Sequence, residues 1–277
     1  MPPADDSIER YPPAFRGWWA VVLFGIAAIL SYTDRQILSL LVDPIRGDLH
    51  ISDVQVSVLQ GAAFAVLYSF IGLPLGRIAD LVARRALLLF AVVTWSFGTI
   101  LCGLAHSFAG LFAARLLVGV GEAALAPAAM SLIGDYFPPS SRALPTGVFF
   151  TGMVIGGGSA IAIGGFLLSA AQHALFAQVP FIGGLAPWRT VLAVLGVAGL
   201  ALSLFFFTIR EPGSRRVTLA DIRARLLSTG DVAGAFRAQW KLLLPLYGAM
   251  AIGSIVDYAI MSWAPTLLVR RFALTPG

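Results

Sequence analysis

Seven stretches of this chain, at roughly 18–42, 54–76, 86–105, 108–134, 144–170, 188–209 and 242–268, are long and almost free of charge. A bilayer core about 30 Å thick is crossed by about 20 apolar residues of helix. At that depth no water is available to bond backbone N–H and C=O groups, so each such run must satisfy its own backbone as a helix. With 58% hydrophobic and 12% charged residues, the composition suits a chain that spends most of its length in lipid. The chain is therefore read as an all-α polytopic membrane protein. Residues 1–17 are a polar, proline-rich tail, and the first apolar run is too long for a cleavable leader, so it is expected to stay as an anchor.

Orientation follows from the basic residues. Of the 19 Lys and Arg, 13 fall in the tail (Arg10, Arg16), at 77–85 (Arg77, Arg84, Arg85), at Arg142 and within 210–241. The opposite side has only Arg46, Arg189, Arg270 and Arg271. The richer side is expected to be cytoplasmic, with the N-terminus there. The positive balance then reports topology and contact with anionic lipid headgroups, and no nucleic acid is implied. Residues 18–209 form a six-helix unit. Residues 210–240 read as a cytoplasmic linker in which Thr218, three residues before Asp221, starts an amphipathic helix with Leu219, Ile222 and Leu226 on one face, or as a plain solvated connection. Residues 241–277 add a seventh span. Its start, "RAQWKLLLPLYGAMAIGSIVDY", echoes "RGWWAVVLFGIAAILSYTDR" of the first, a faint sign of a parallel repeat.

Little else offers chemistry of a conventional kind. Cys102 lies alone inside an apolar run, so no intrachain disulfide forms. His50, His106 and His173 lack metal-ligand spacing, and neither a paired His-Glu motif nor a GxSxG serine is present. No cofactor, metal or enzymatic activity is expected.

What stands out is charge at depth. Between Trp18 and Val42 the only formal charges are the adjacent Asp34 and Arg35, and the fourth span carries Arg115 and Glu122. A charge near the bilayer centre costs about 2.5–3.5 kcal/mol on insertion scales, so it must face the bundle interior and find a partner. Arg115 and Glu122 lie seven residues apart, about two helical turns or 10.5 Å along one face. They are too distant to pair with each other. Each can reach the first span, Asp34 meeting Arg115 and Arg35 meeting Glu122 in different states.

Two motifs name a family. "GRIADLVARR" (76–85), between the second and third spans, resembles the loop signature of the major facilitator superfamily, with Gly76, Asp80, Arg84 and Arg85 in the motif positions and Ala83 where that family has glycine. Gly76 would let two helices approach, and Asp80 would pair with a cation or a helix N-terminus. In the fourth span, "RLLVGVGEAALAPAAMSLIGDYFPPSSR" (115–142) resembles the same superfamily, and DR in the first span with GEA and DYFP in the fourth resembles its spinster-like branch. The resemblance implies a six-helix bundle of two inverted three-helix units, plus the first helix of a second bundle.

It also implies secondary active transport by alternating access of an amphipathic, lipid-like substrate. A small organic anion is the alternative, and a membrane enzyme or receptor a distant one. Asp34 or Glu122 is expected to carry a coupling proton, because apolar surroundings favour a protonated carboxyl and a neighbouring guanidinium an ionised one. Arg35, Arg115 and Glu122 are expected to serve as charge partners or substrate ligands, and Asp257 of the seventh span is a possible addition. A purely structural ion network is the competing reading, weakened because apolar replacements of buried pairs are often as stable. Gly152, Gly156, Gly157, Gly158, Gly164 and Gly165 in the fifth span read as a close-packing surface, and the proline of drug-antiporter glycine signatures is missing. Such transporters have about twelve helices, so a C-terminal bundle is expected to complete this chain. The loop motif, Gly76 to Arg85, is expected to gate the cytoplasmic side. Single cysteines at Arg84 and Arg225 should resist an impermeant thiol reagent applied outside the cell, and one at Asp48 should react; the opposite labelling would invert the topology.

Overall fold

Every apolar run becomes helix. The structure, a computed structural model, describes residues 11–79, 82–173, 175–176, 178–180, 182–212 and 230–272. In chain order the helices are α1 (Ala14–Ile37), α2 (Val42–Leu49), α3 (Asp53–Gln60), α4 (Ala62–Ile78), α5 (Arg84–Leu104), α6 (Phe108–Tyr136), α7 (Ala143–Gln172), α8 (Pro187–Phe205) and α9 (Gly230–Phe272). With α3 and α4 taken as one span, seven are long and apolar enough to cross a membrane. Their starts carry ordinary caps. Ser52 and Gln55 form a reciprocal capping box on α3, Ser107 accepts from Gly110 N on α6, and Pro187 opens α8.

Three boundaries differ from the sequence reading. The first span ends at Ile37, short of Val42, where tight bonds such as Ser39 N to Gln36 O (3.0 Å) turn the chain into α2, whose first turn accommodates Pro44. The second span breaks at Gly61 (φ −94°, ψ −82°). Residues 230–240, read as part of the linker, already belong to α9, which kinks at Gln239 (φ −122°, ψ 18°). The Thr218–Leu226 helix lies outside the described residues.

Packing follows a symmetric plan. α1 packs along α7 and α4 along α6, while α5 packs against α6 and α8. Exchanging the first three spans with the second three turns the α1–α7 pair into the α6–α4 pair and leaves α5–α8 unchanged, in keeping with two related three-helix units, although the extensive α5–α6 seam has only a slight counterpart between α8 and α1. Small residues set the spacing, since lipid supplies no hydrophobic drive between helices. An added Cβ on Gly152 would lie 2.7 Å from Gly25 O of α1, and Thr33 Oγ1 reaches across the same seam to Gly156 O at 3.2 Å. Gly164 also meets α1, at Ile37, whereas nothing lies within 4 Å of the position a Cβ would take on Gly158. The glycine run is thus a packing surface on one face only.

α9 lies alongside the bundle and exposes most of its length. Tyr258 Oη donates to Gln60 O (2.8 Å), Thr266 Oγ1 to Ser39 O (3.0 Å), and Arg270 bonds Asp43 (2.6 Å) and Asp53 (3.0 Å). A close approach within the bundle occurs at Gly121, where a Cβ would sit 2.5 Å from Trp95 N and 2.7 Å from Ala91 O. Gly121→Ala should therefore lower stability by about 1–3 kcal/mol through overpacking, while Gly158→Ala should stay within about 0.5 kcal/mol. Thermal unfolding in detergent reads both, and equal midpoints would refute the packing account.

Candidate functional site

The four membrane charges meet at the α1–α6 interface. Adjacent residues on a helix point about 100° apart, so Asp34 and Arg35 diverge toward different levels of α6. Arg35 Nη2 bonds Glu122 Oε2 at 2.5 Å and its Nε reaches the same oxygen at 3.2 Å. Asp34 Oδ2 lies 4.0 Å from Arg115 Nη1 and accepts a hydrogen bond from Thr99 Oγ1 of α5 at 2.8 Å. Both pairs therefore exist at once, where alternate states were expected. Arg115, Asp34 and Glu122 are only 1%, 2% and 3% exposed.

The network is incompletely satisfied. Among the described residues, Asp34 Oδ1, Glu122 Oε1, and Arg115 Nε and Nη2 have no hydrogen-bond partner. A buried ion pair offsets its desolvation only when its remaining lone pairs and protons are also bonded. Stability alone does not explain such an arrangement.

Aromatic rings box Arg35. Its guanidinium carbon lies 4.2 Å from the Phe64 ring centre, 4.7 Å from Tyr32 and 5.3 Å from Tyr68, distances at which a cation is attracted to the ring face. Arg35, Phe64 and Tyr68 line a cavity of about 470 Å³ between α3, α4 and α9, together with Gln60, Tyr258 and Trp263. A larger groove of about 770 Å³ lies at the other end, by Tyr11, Trp18 and Phe137, and includes none of the four charges.

Sequence reasoning had not picked out Thr99, Gln60, Phe64 or Tyr68. Phe64 and Tyr68, one turn apart beside a span rich in small residues, were the available signal for an aromatic face. Arg189, counted only as a loop charge, is also buried. It bonds Asp48 at 2.8 Å, and its Nη1 takes the Gly103 and Ala105 carbonyls that end α5.

At the basic end, Arg84 N donates to Glu211 Oε1 at 2.8 Å, and the Arg84 guanidinium lies 3.3 Å from Asp135. Arg85 Nη1 reaches Ile209 O at 3.4 Å, and Tyr136 Oη donates to Arg210 O. The loop motif is thereby tied to the ends of α6 and α8. Arg142 caps α6 through Phe137 O and Gly134 O. Asp80 lies outside the described residues. The expectation that Gly76 lets two helices approach is not met among the described residues, where nothing from another helix lies within 4 Å of a Cβ placed there. Asp257 is exposed and joins no ion pair among the described residues.

The sequence pattern of the Major Facilitator Superfamily matches residues 24–277. The chain belongs to the Major Facilitator Superfamily. As a member, with seven long apolar helices, it is a multi-pass integral membrane protein. It is 26% identical, over 98% of its length, to an MFS-type efflux pump of Mycolicibacterium smegmatis. Against the probable L-galactonate transporter of Escherichia coli it is 26% identical over 92% of its length. Among solved structures, an inward-facing, unoccupied bacterial homologue of the human lysosomal transporter spinster aligns with TM-score 0.76 and 26% identity over 94% of the chain. That likeness accords with the spinster-like motifs. The chain spans between 55% and 59% of the length of these three proteins.

Thr99 is the only described side chain to hydrogen-bond Asp34. Thr99→Val keeps the shape and deletes that bond, and should cost about 1–3 kcal/mol by stranding a buried carboxylate oxygen. Thr99→Ser should cost less than half as much. Detergent thermal shifts compare the two, and a loss in Thr99→Ser as large as or larger than that in Thr99→Val would refute the hydroxyl's role.

Proposed function

We propose that the full-length protein is a secondary active transporter that carries a small organic anion by alternating access, coupled to a proton held by Glu122. The observation that carries this reading is the Arg35–Glu122 pair at the cavity wall, where two guanidinium nitrogens converge on one carboxylate oxygen. While Glu122 is ionised, Arg35 is occupied. When Glu122 takes a proton its charge disappears, and a substrate carboxylate replaces it as the partner of Arg35. An unpaired buried charge costs about 3–5 kcal/mol, so proton and anion bind as a unit and neither state leaves Arg35 alone. Asp34, held by Thr99 and facing Arg115, is the second candidate proton carrier.

The cavity suits this role, since about 470 Å³ lies within the range of small-molecule sites. The likeness to a probable L-galactonate transporter supports a carboxylate substrate. A lipid-like, amphipathic substrate is the second reading, favoured by the likeness to the spinster homologue. In either reading residues 18–209 act as one rocking bundle, residues 210–229 as a cytoplasmic linker and the helix that begins at Gly230 as the first of the opposing bundle. The protein sits in a bacterial inner membrane with its N-terminus in the cytoplasm, as its basic loops favour. Gly76, Asp80, Arg84 and Arg85 then form a gate on that side, with the Arg84 bonds to Glu211 and Asp135 as its hinge on this bundle.

In proteoliposomes with an imposed proton gradient, the wild type should accumulate a labelled small carboxylate. Glu122→Gln and Asp34→Asn should each lower that accumulation at least tenfold, and Glu122→Gln should retain counterflow exchange because a neutral amide leaves Arg35 available. Full gradient-driven uptake by both variants would sink the coupling role. Uptake of a labelled lysophospholipid with none of any carboxylate would favour the second reading.

A further inference from the structure

Gln60 ends α3, at the point where the second span breaks. In an unbroken helix its carbonyl would accept from Phe64 N–H. Here Phe64 N turns to Gly61 O (3.2 Å), and the Gln60 carbonyl is taken by Tyr258 Oη of α9 (2.8 Å). The break is therefore fixed from both sides of the cavity: Gly61 supplies the turn, and a tyrosine from the facing helix holds the released carbonyl.

The side chain of Gln60 is left with nothing to bond. It is 5% exposed and lines the cavity beside Arg35, and neither its carboxamide oxygen nor its nitrogen has a partner among the described residues. Burying such a group unbonded is costly, and an apolar residue of similar size would fill the same space without that cost. Packing therefore gives no reason for glutamine here. A carboxamide in the wall of a cavity offers two donors and one acceptor, which is what a hydroxyl group uses once a small rotation of the side chain brings it to the ligand. Broken membrane helices of this kind commonly present polar groups to a ligand.

We propose that Gln60 is a specificity-determining residue that reads a hydroxyl group, so that the site takes a hydroxylated small carboxylate, its carboxylate on Arg35 and its hydroxyl on Gln60. This rests on the anion reading given above and adds the second point of attachment. Phe64 and Tyr68 flank Arg35 on the same wall and supply an apolar surface for the body of the ligand between its two polar ends. A site built to bond a hydroxyl discriminates strongly against an analogue that lacks it, because the protein group is then left unpaired.

Equilibrium binding to the full-length protein in detergent tests this with two matched pairs, gallate against benzoate and L-galactonate against hexanoate. In each pair the second ligand lacks only hydroxyl groups. The wild type should prefer the hydroxylated member of at least one pair by about tenfold or more. Gln60→Leu should bring that preference to within about twofold and leave benzoate or hexanoate binding unchanged. Gln60→Met, unbranched and close in volume, carries the same expectation and serves if the leucine variant does not fold. A preference retained by these variants, or absent in the wild type, overturns the role of Gln60 and leaves the anion reading standing. Failure of every carboxylate to bind the wild type, or undiminished binding by Arg35→Ala, overturns the anion reading itself and the Gln60 role with it.

Discussion

Placing Asp34, Arg35, Arg115 and Glu122 together inside an apolar bundle is the constraint on which the rest of this structure turns. Each charge would be prohibitive alone, and the four sum to zero. Neutrality by itself is not enough, because a guanidinium must lie within a few ångströms of its carboxylate to offset desolvation. α1 and α6 have to meet at a fixed register for Arg35 to reach Glu122 at 2.5 Å while Asp34 faces Arg115 at 4.0 Å. The incomplete bonding of both pairs leaves the network able to change partners, which a fully satisfied one would resist.

That register is set by close packing elsewhere. Gly152 and Gly156 bring α7 onto α1, and Gly121 brings α6 onto α5 on the same turn as Glu122. A helix held on one side by a methyl-sized gap cannot rotate without collision, so the glycines position the charges indirectly. The bundle ends are closed by guanidinium groups on carbonyls that would otherwise be stranded. Arg189 finishes α5 and Arg142 finishes α6. These bonds hold the scaffold rigid while the network inside it stays adjustable.

The break in the second span adds a different kind of element. A continuous helix would present only side chains to the cavity. Interrupting it at Gly61 releases a backbone carbonyl to Tyr258, turns Gln60 inward and places Phe64 and Tyr68 one turn later around Arg35. Nothing in the apolar pattern marks this position, since a single Gly-Ala step inside a long hydrophobic run is ordinary for a membrane helix.

The sequence by itself determined the helical class, the number of spans, the family and the four charges of the site. Each of these rests on a local quantity: run length against bilayer thickness, the cost of a charge at depth, or a short motif. The same logic placed Arg115 and Glu122 on one face, because helical period alone fixes that. Only the tertiary structure decided that both ion pairs form together, that Thr99 holds Asp34, that Arg189 is buried, and that Gln60 with the aromatic box joins Arg35. Those facts depend on which helices touch and at what rotation. Rotation in lipid is governed by van der Waals fit between side chains distant in sequence, and a hydrophobic run that looks alike on every face carries no record of it.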